Sequence, residues 1–324
     1  MNDYKIIEKL GNGMIGTVYL VKKKNVEYAL KIEHILDKDA KKNFKASIWR
    51  EIDFCLKFGN KHPDQFIELI EYDIIDECNH KQKYSFNLKL FPPKMIKEIT
   101  ALNESDTCVR RIYTLVNTSL NKIINKLKIH HIYSMMVQMS YIIYLMHKAK
   151  YVHGDLHSGN IGIVKTNEKY IKILDYDVPT FGLIFKAIDY GLVKHKKYLK
   201  SNEKKEYKFL MENEQGNLMY MLVETKFWNF VRKNKIKLNF KKHYALFKKM
   251  EEYKIIKDMT DDVNLQMLLF EILYPEKFQM MILEDKFKTV HKINLLIPVE
   301  DIIFSVKAGS NSLKVMSYFM TKLN

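Results

Sequence analysis

The sequence has no long uninterrupted apolar run, and this lack excludes an obvious membrane span. The nearest candidate, IYSMMVQMSYIIYLM from Ile132, is interrupted by serine and glutamine. A membrane-spanning helix needs about 20 consecutive, predominantly apolar residues. We therefore interpret this stretch as a buried helix. The first ten residues, MNDYKIIEKL, do not have the form of a signal peptide.

Cysteine is also scarce. The 324 residues include Cys55, Cys78 and Cys108, which are odd in number and far apart. Such a set predicts neither a disulfide framework nor a zinc site. We therefore expect a reducing, cytoplasmic setting.

Arginine occurs only at positions 50, 110, 111 and 232, although the net charge is +16. The positive charge comes from lysines spread along the whole chain, not from one basic patch. A bias towards lysine, isoleucine and asparagine is typical of an AT-rich genome. The charge therefore does not predict a nucleic-acid partner.

The periodicity of the chain changes near residues 114–120. Before this junction the strand-like runs predict a mostly antiparallel sheet carrying one helix, from Asp39 to Phe58. These runs are YKIIEKLG, TVYLVKKK, EYALKIE, FIELIEYDII and YSFNLKLF. From Ser119 onward the pattern is helical, apart from a strand-rich island between Asn160 and Leu192. We predict an α+β protein with a small β-rich lobe, residues 1–116, and a larger α-helical lobe, residues 117–324.

The first motif is GNGMIGTV, from Gly11 to Val18, and it lies between two predicted strands. A dinucleotide-binding glycine motif would instead open a helix. In a hairpin, Gly11, Gly13 and Gly16 allow the backbone to approach a triphosphate closely. Taken alone, the motif also fits an ordinary glycine-rich hairpin.

The second motif is YALK, which places Lys31 in the next strand after the small Ala29. A lysine there can pair with the α and β phosphates of a nucleotide if a carboxylate holds it in place. Glu51, in SIWREIDFCL, flanks the apolar stripe of the predicted helix and can face the sheet. Each residue considered singly also fits a solvated surface position.

The third motif is HGDLHSGN, which follows the long helix and precedes a strand, so Asp155 and Asn160 lie on the connecting loop. Asp155 is suited to accept the proton of an attacking hydroxyl group. Asn160 is suited to bind a metal ion through its side-chain oxygen.

Two aspartates compete for the remaining metal-binding role. Asp175 in ILDYDVP is nearer to Asn160 in sequence, but no glycine follows it. Asp189 in KAIDYGLVK ends an apolar run and is followed by Gly191, which can turn the chain sharply. We therefore assign the metal to Asp189 and interpret residues 164–186 as an inserted hairpin with a solvated turn.

Together these motifs resemble the eukaryotic-type protein kinases over roughly residues 4 to 195. The junction IYTLVNTSL resembles the hinge of the casein kinase I and vaccinia-related kinase clade, with Tyr113 as gatekeeper. The insertion YDVPTFGLIFKAIDYG, together with the lysine-rich composition of the chain, resembles kinases of large DNA viruses. The resemblance implies a bilobal kinase fold and ATP and Mg²⁺ as cofactors. It also implies transfer of the γ-phosphoryl group to serine or threonine of a protein substrate. The positive charge of the chain predicts that this substrate is acidic. The resemblance implies Lys31, Glu51 and Asp155 as catalytic residues, and Asn160 and Asp189 as metal ligands. The nucleotide-binding residues that it implies are Leu10, Gly11, Asn12, Gly13, Met14, Ile15, Gly16, Thr17, Val18, Ala29, Lys31, Leu115 and Val116.

The sequence departs from this family in several places. Gly154 stands where most members have arginine before the catalytic aspartate, and His157 stands where serine/threonine kinases usually have lysine. No Ala-Pro-Glu follows Gly191 at a plausible distance. These departures leave two alternatives open: a phosphotransferase acting on a small-molecule hydroxyl, and a kinase-shaped binding module without turnover.

Overall fold

The structure is a computed structural model that describes residues 3–12, 16–78, 93–233, 244–245, 247–257, 266–267, 270, 298–308 and 311–323. Three of the predicted nucleotide-binding residues, Gly13, Met14 and Ile15, lie outside the described residues. The predicted strand YSFNLKLF, residues 84–91, lies outside them as well. Within the described part, a β-rich amino-terminal region precedes a region rich in helices, which confirms the predicted α+β composition.

The chain divides into two compact units. The first comprises Met1–Asn117, His153–Asp155 and Lys186–Glu203, and the second comprises Thr118–Val152, Leu156–Phe185 and Lys204–Asn324. Short segments from the middle of the chain therefore complete the amino-terminal unit.

The first unit is built on a five-stranded antiparallel sheet. Its strands are β1 (Lys5–Asn12), β2 (Gly16–Lys23), β3 (Val26–His34), β4 (Leu69–Ile75) and β5 (Cys108–Thr114). Their order in the sheet is β1-β2-β3-β5-β4. Val21, Leu30, Ile32, Cys108 and Ile112 form a buried cluster. The alternation of inward and outward side chains along β3 and β5 thus fixes which residues face the interior.

The helices of this unit differ from the prediction. Instead of one helix from Asp39 to Phe58, there is a short α1 (Asp37–Ala40) followed by α2 (Ser47–Lys57). A further helix, α3 (Pro93–Asn103), was not predicted. Proline at the first position of α3 is favourable because it has no amide proton to leave unpaired.

The structure also corrects the interpretation of the cysteines, because Cys78 and Cys108 form a disulfide with Cα atoms 5.6 Å apart. The sheet register brings them together: β4 is antiparallel to β5, and Ile75 lies opposite Cys108. The Cys78 amide then donates to Asp106 O at 2.6 Å, just before β5. Spacing along the sequence gave no sign of this juxtaposition. Cys55 is a free, buried cysteine.

The second unit contains β6 (Thr118–Ser119), β7 (Tyr151–Val152), β8 (Ile161–Lys165), β9 (Tyr170–Ile173), β10 (Tyr176–Pro179) and β11 (Leu183–Ala187), whose last residues extend into the first unit. A further short strand, β12 (Lys194–His195), belongs to the first unit. The predicted inserted hairpin is present as β9 and β10, paired with Tyr176 opposite Ile173.

Among the described residues, the helices of the second unit are α4 (Leu120–Ile123), α5 (Ile129–Lys148), α6 (Lys204–Lys233), α7 (Glu252–Lys257), α8 (Val299–Ala308) and α9 (Ser312–Thr321). As predicted, the apolar run from Ile132 is a buried helix, α5. Tyr133 of α5 and Tyr318 of α9 both donate to Asp301 of α8, at 2.8 and 2.7 Å. In the part of the chain that the structure describes, no helix is long and apolar enough to cross a membrane.

Candidate active site

The glycine hairpin joins β1 to β2. A Cβ atom added at Gly16 would lie 2.9 Å from Ile32 O on the neighbouring strand, whereas one added at Gly11 would meet nothing within 4 Å. Glycine is therefore sterically required at position 16, and position 11 is open. Thr17 donates to Asn12 Oδ1 at 3.0 Å, which links the two strands on either side of the hairpin.

Lys31 lies on β3 and contacts Asp189, although the two residues are far apart in sequence. Its Nζ lies 2.8 Å from Asp189 Oδ1. The same ammonium lies 3.7 Å from Glu51 Oε1 and 3.9 Å from Glu33 Oε2. The three predicted residues Lys31, Glu51 and Asp189 thus meet within the first unit.

Helix α2 carries Glu51 with its carboxylate directed towards the sheet, as its place beside the apolar stripe predicted. Residues 48, 52 and 55 of that stripe are buried, and Glu51 itself is only 1% exposed. Tyr113 on β5, which the hinge resemblance implied as gatekeeper, donates from its hydroxyl to Glu51 Oε1 at 2.8 Å. A buried carboxylate requires such partners because its charge has been removed from water.

Arg111 and Glu33 complete this cluster, and the sequence analysis did not include them. Arg111 is fully buried and pairs with both Glu33 and Glu51. On the register of the sheet it lies directly opposite Lys31. A signal was present: in the apolar strand CVRRIYT, adjacent arginines must point to opposite faces, so one of them faces the interior.

The cluster contains the cations Lys31 and Arg111 and the carboxylates Glu33, Glu51 and Asp189, so it holds more negative than positive charge. The positive charge of Lys31 lowers the pKa of Asp189 well below its ordinary value. Burial alone would lower the pKa of Lys31, but Asp189 and Glu51 outweigh it and raise that pKa. Both groups are therefore charged at neutral pH.

The residues beside Asp189 fix its position. Asp189 has a left-handed backbone, with φ of 59°. Tyr190 is fully buried, and its hydroxyl donates to Ala187 O at 2.6 Å and accepts from the Ile67 amide at 3.1 Å. The Gly191 amide lies 3.4 Å from Asp189 Oδ1. The rival candidate, Asp175, is exposed in the turn between β9 and β10.

Asp155 belongs to the first unit, together with His153 and Gly154. Its side chain is exposed, whereas His153 is buried with Nε2 3.1 Å from Ile188 O. Gly154 has φ of 82°, and an added Cβ would lie 2.4 Å from Leu192 O. The structure thus gives a steric reason for glycine at this position, where arginine would be expected from the family resemblance.

Asn160 and His157 belong to the second unit. Asn160 is buried at the end of a 3₁₀ turn, Ser158–Asn160. Its backbone amide donates to His157 O at 2.8 Å. His157 is exposed, and its Nδ1 accepts from the Gly159 amide at 2.9 Å.

The residues implied as adenine contacts lie at the end of β5 and beside it. Ala29 lies opposite Tyr113 on the register of the sheet. Leu115 and Val116 follow β5 and are half-buried in a segment without regular structure. The remaining nucleotide-binding candidates that the structure describes, Leu10, Gly11, Asn12, Gly16, Thr17 and Val18, lie on β1 and β2.

The donor set fits Mg²⁺ and a nucleotide. Mg²⁺ prefers oxygen ligands from carboxylates, together with phosphates of the substrate. The Asp189 side chain is 48% exposed, so it is available to an ion, and the surplus of carboxylates around it favours a divalent cation. A lysine beside such an ion is suited to pair with phosphate oxygens.

No family model matches the chain. The chain is similar to a serine/threonine-protein kinase of Candida albicans, with 25% identity over 185 residues. It is also similar to a serine/threonine-protein kinase of Debaryomyces hansenii, with 23% identity over 180 residues. Each match covers 54% of this chain, but 21% and 26% of the respective yeast proteins.

Over about half of its length the chain is thus similar to serine/threonine-protein kinases. The α+β fold with its β-rich amino-terminal region is compatible with a kinase fold. Because the chain spans about a quarter of the length of these relatives or less, the kinase relationship concerns only that part of them.

Proposed function

We propose that the chain is an ATP- and Mg²⁺-dependent protein kinase that transfers the γ-phosphoryl group to serine or threonine of a protein substrate. The observation that carries this proposal is the meeting of Lys31, Glu51 and Asp189, with Lys31 Nζ 2.8 Å from Asp189 and 3.7 Å from Glu51. An ammonium held by carboxylates beside an exposed aspartate suits phosphate and metal binding together.

The first unit supplies the proposed nucleotide site. The glycine hairpin, residues 10–18, covers the phosphates, and Lys31 pairs with them. Glu51 positions Lys31, Ala29 leaves room for the adenine, and Leu115 and Val116 offer backbone groups to it. In this proposal residues 1–116 act as the nucleotide-binding lobe and residues 117–324 as the catalytic and substrate lobe.

The catalytic loop supplies the remaining roles. Asp155 orients the acceptor hydroxyl and accepts its proton, a role that suits its exposed carboxylate. Asp189 and Asn160 are the residues that would hold Mg²⁺ through side-chain oxygens. When bound, the ion neutralises the negative charge of the phosphates during transfer.

The proposed substrate is an acidic protein. With a net charge of +16, the chain attracts acidic partners more readily than basic ones. The hinge, residues 112–120, resembles that of casein kinase I-like enzymes, which act near acidic or phosphorylated residues. The insertion, which together with the lysine-rich composition of the chain resembles kinases of large DNA viruses, is consistent with a viral protein located in the host cytoplasm or in the virion.

The proposal is tested by incubating the protein with Mg²⁺ and γ-labelled ATP, together with a panel of proteins and small alcohols. Label on serine or threonine of a protein supports it. Label on a small alcohol alone, with every protein inert, would favour the small-molecule phosphotransferase that His157 and the missing Ala-Pro-Glu suggest. Nucleotide binding without transfer to any acceptor would favour a binding module.

A further inference from the structure

Three soft metal-ligating side chains meet at one end of the sheet of the first unit, separate from the candidate active site. They are His34, Cys78 and Cys108, and their ligand atoms all lie within 4.8 Å of one another. His34 ends β3, Cys108 begins β5, and the two lie directly opposite each other in the sheet. Strand pairing therefore holds two of the three in fixed positions.

We propose that this group is a zinc site when the Cys78–Cys108 disulfide is reduced. Zinc is commonly bound by cysteine thiolates and histidine nitrogens, which are softer ligands than the carboxylates of the active-site cluster. Under reducing conditions the pair is a dithiol rather than a disulfide. Cys78 and Cys108 then form either the disulfide or, together with His34, the zinc complex.

The geometry suits a tetrahedral ion. With Zn–S of about 2.3 Å and Zn–N of about 2.05 Å, neighbouring sulfur and nitrogen ligands lie about 3.6 Å apart. The distance from Cys108 Sγ to His34 Nδ1 is 3.5 Å. Cys78 lies beyond the end of β4 and is partly exposed, whereas Cys108 and His34 are buried. Cys78 is therefore the ligand that moves when the sulfurs separate to bind the ion.

Zinc binding requires two steps, reduction of the disulfide and displacement of the thiol protons, and both conserve charge and electrons. A dithiol or phosphine reductant supplies two electrons, the S–S bond breaks with uptake of two protons, and the reductant is oxidised. Binding of Zn²⁺ then displaces one proton from each thiol, so two thiolates and a neutral imidazole give a complex without net charge. A neutral complex is the least costly to bury. In the disulfide form His34 Nδ1 donates to Ser105 O at 2.9 Å. When zinc binds, this hydrogen bond breaks and the imidazole proton moves to Nε2, so that Nδ1 binds the metal. Water takes the fourth position.

The test compares oxidised and phosphine-reduced full-length protein. After desalting, each is titrated with Zn²⁺, and with Co²⁺ as a spectroscopic probe of thiolate ligation. The reduced chain should bind one Zn²⁺ and give a thiolate-to-cobalt absorption band, and the oxidised chain should do neither. Cys55→Ser is the matched control, because Cys55 is a buried cysteine outside the group, and it should bind as the wild type does.

Variants of the three ligands complete the test, and thermal unfolding verifies that each is folded. Cys78→Ser and Cys108→Ser should lose the cobalt band. His34→Gln should bind zinc at least roughly 10- to 100-fold more weakly, since even an outer partner of a zinc ligand contributes that much. The proposal is overturned if the reduced wild type binds no zinc, or if the cysteine variants bind as tightly as it does. Because metal binding is measured without ATP, the outcome is independent of the proposed kinase activity.

Discussion

Arg110 and Arg111 are neighbours on β5 with opposite surroundings. Arg110 is partly exposed and pairs with Asp73, which is also partly exposed. Arg111 is wholly buried and pairs with Glu33 and Glu51. An exposed ion pair typically contributes about 0–1 kcal/mol, whereas removing one partner of a buried pair typically costs about 3–5 kcal/mol. Arg111 also lies closer to Glu51 than Lys31 does, since Lys31 Nζ is 3.7 Å from Glu51 Oε1.

We expect Arg111→Met to lower the free energy of unfolding by about 3 kcal/mol or more, because the buried carboxylates of Glu33 and Glu51 lose their closer cation and keep only the more distant Lys31 ammonium nearby. Arg110→Met, on the same strand, should cost about 1 kcal/mol or less. Chemical denaturation of both variants measures the difference. Equal losses would mean that the buried network does not contribute as the geometry indicates.

Substitution of Lys31 and Asp155 gives a second prediction for individual residues. Lys31→Met should abolish phosphoryl transfer, because the nucleotide loses the cation that pairs with its phosphates. Asp155→Asn should lower the rate by about 10²- to 10⁴-fold, the usual contribution of a general base. Both variants should remain folded, since Arg111 still holds Glu51 and Asp155 is exposed. Transfer at nearly the wild-type rate by the Asp155 variant would contradict its assigned role.

At the scale of elements, the loop that contains Gly154 is restricted by the segment after Asp189. The positive φ of Gly154 and the nearby carbonyl of Leu192 leave no room for a side chain. Gly154→Ala should therefore destabilise the protein or displace the loop and lower activity, and Gly154→Arg should do so more severely. Thermal unfolding and transfer assays verify this. A stable, fully active Gly154→Arg variant would show that the loop is not confined in this way.

The segment after Asp189 ends at Glu203, which pairs with Arg50 of α2 in the unphosphorylated chain. Arg50, next to Glu51, donates to both carboxylate oxygens of Glu203 at 2.9 and 3.1 Å. Glu203 also accepts from the Lys200 amide at 2.8 Å. A carboxylate of the chain thus occupies an arginine to which a phosphate group could otherwise bind.

We therefore expect activity without phosphorylation of the loop after Gly191. Phosphatase-treated protein should keep its rate, and Glu203→Gln should lower it, because the tie to α2 is weakened. Asp177→Asn is a suitable control, since Asp177 pairs with Lys172 on the exposed hairpin. A large loss after phosphatase treatment that autophosphorylation restores would refute the prediction.

Local patterns predicted β1, β2, β3, β4 and the inserted hairpin, because strand alternation and turn residues are encoded within a few positions. They did not predict β5, α3 or the break between α1 and α2. They also missed Arg111, Glu33 and the Cys78–Cys108 pair, whose partners are set by sheet register across long stretches of sequence. Charged residues in a strand give no local sign of which carboxylates will face them.

For the whole molecule, the relevant quantity is the net charge of +16. Long-range attraction to an acidic protein is screened over about 8 Å at physiological ionic strength. We expect phosphorylation of casein to fall steeply with added salt, and lysine- or arginine-rich peptides to be poor substrates at every salt concentration. Steady-state rates across a salt series measure this. Preference for basic peptides, or phosphotyrosine among the products, would contradict the proposed substrate class.

The central claim is that the cluster around Lys31 and Asp189 carries out phosphoryl transfer. The most direct measurement is transfer from γ-labelled ATP to casein, in the presence of Mg²⁺, by the wild type, Asp189→Ala and Asp175→Ala. The wild type and Asp175→Ala should label casein at similar rates, and Asp189→Ala should be slower by about 100-fold or more. Full activity of Asp189→Ala, with loss of activity in Asp175→Ala, would contradict the account.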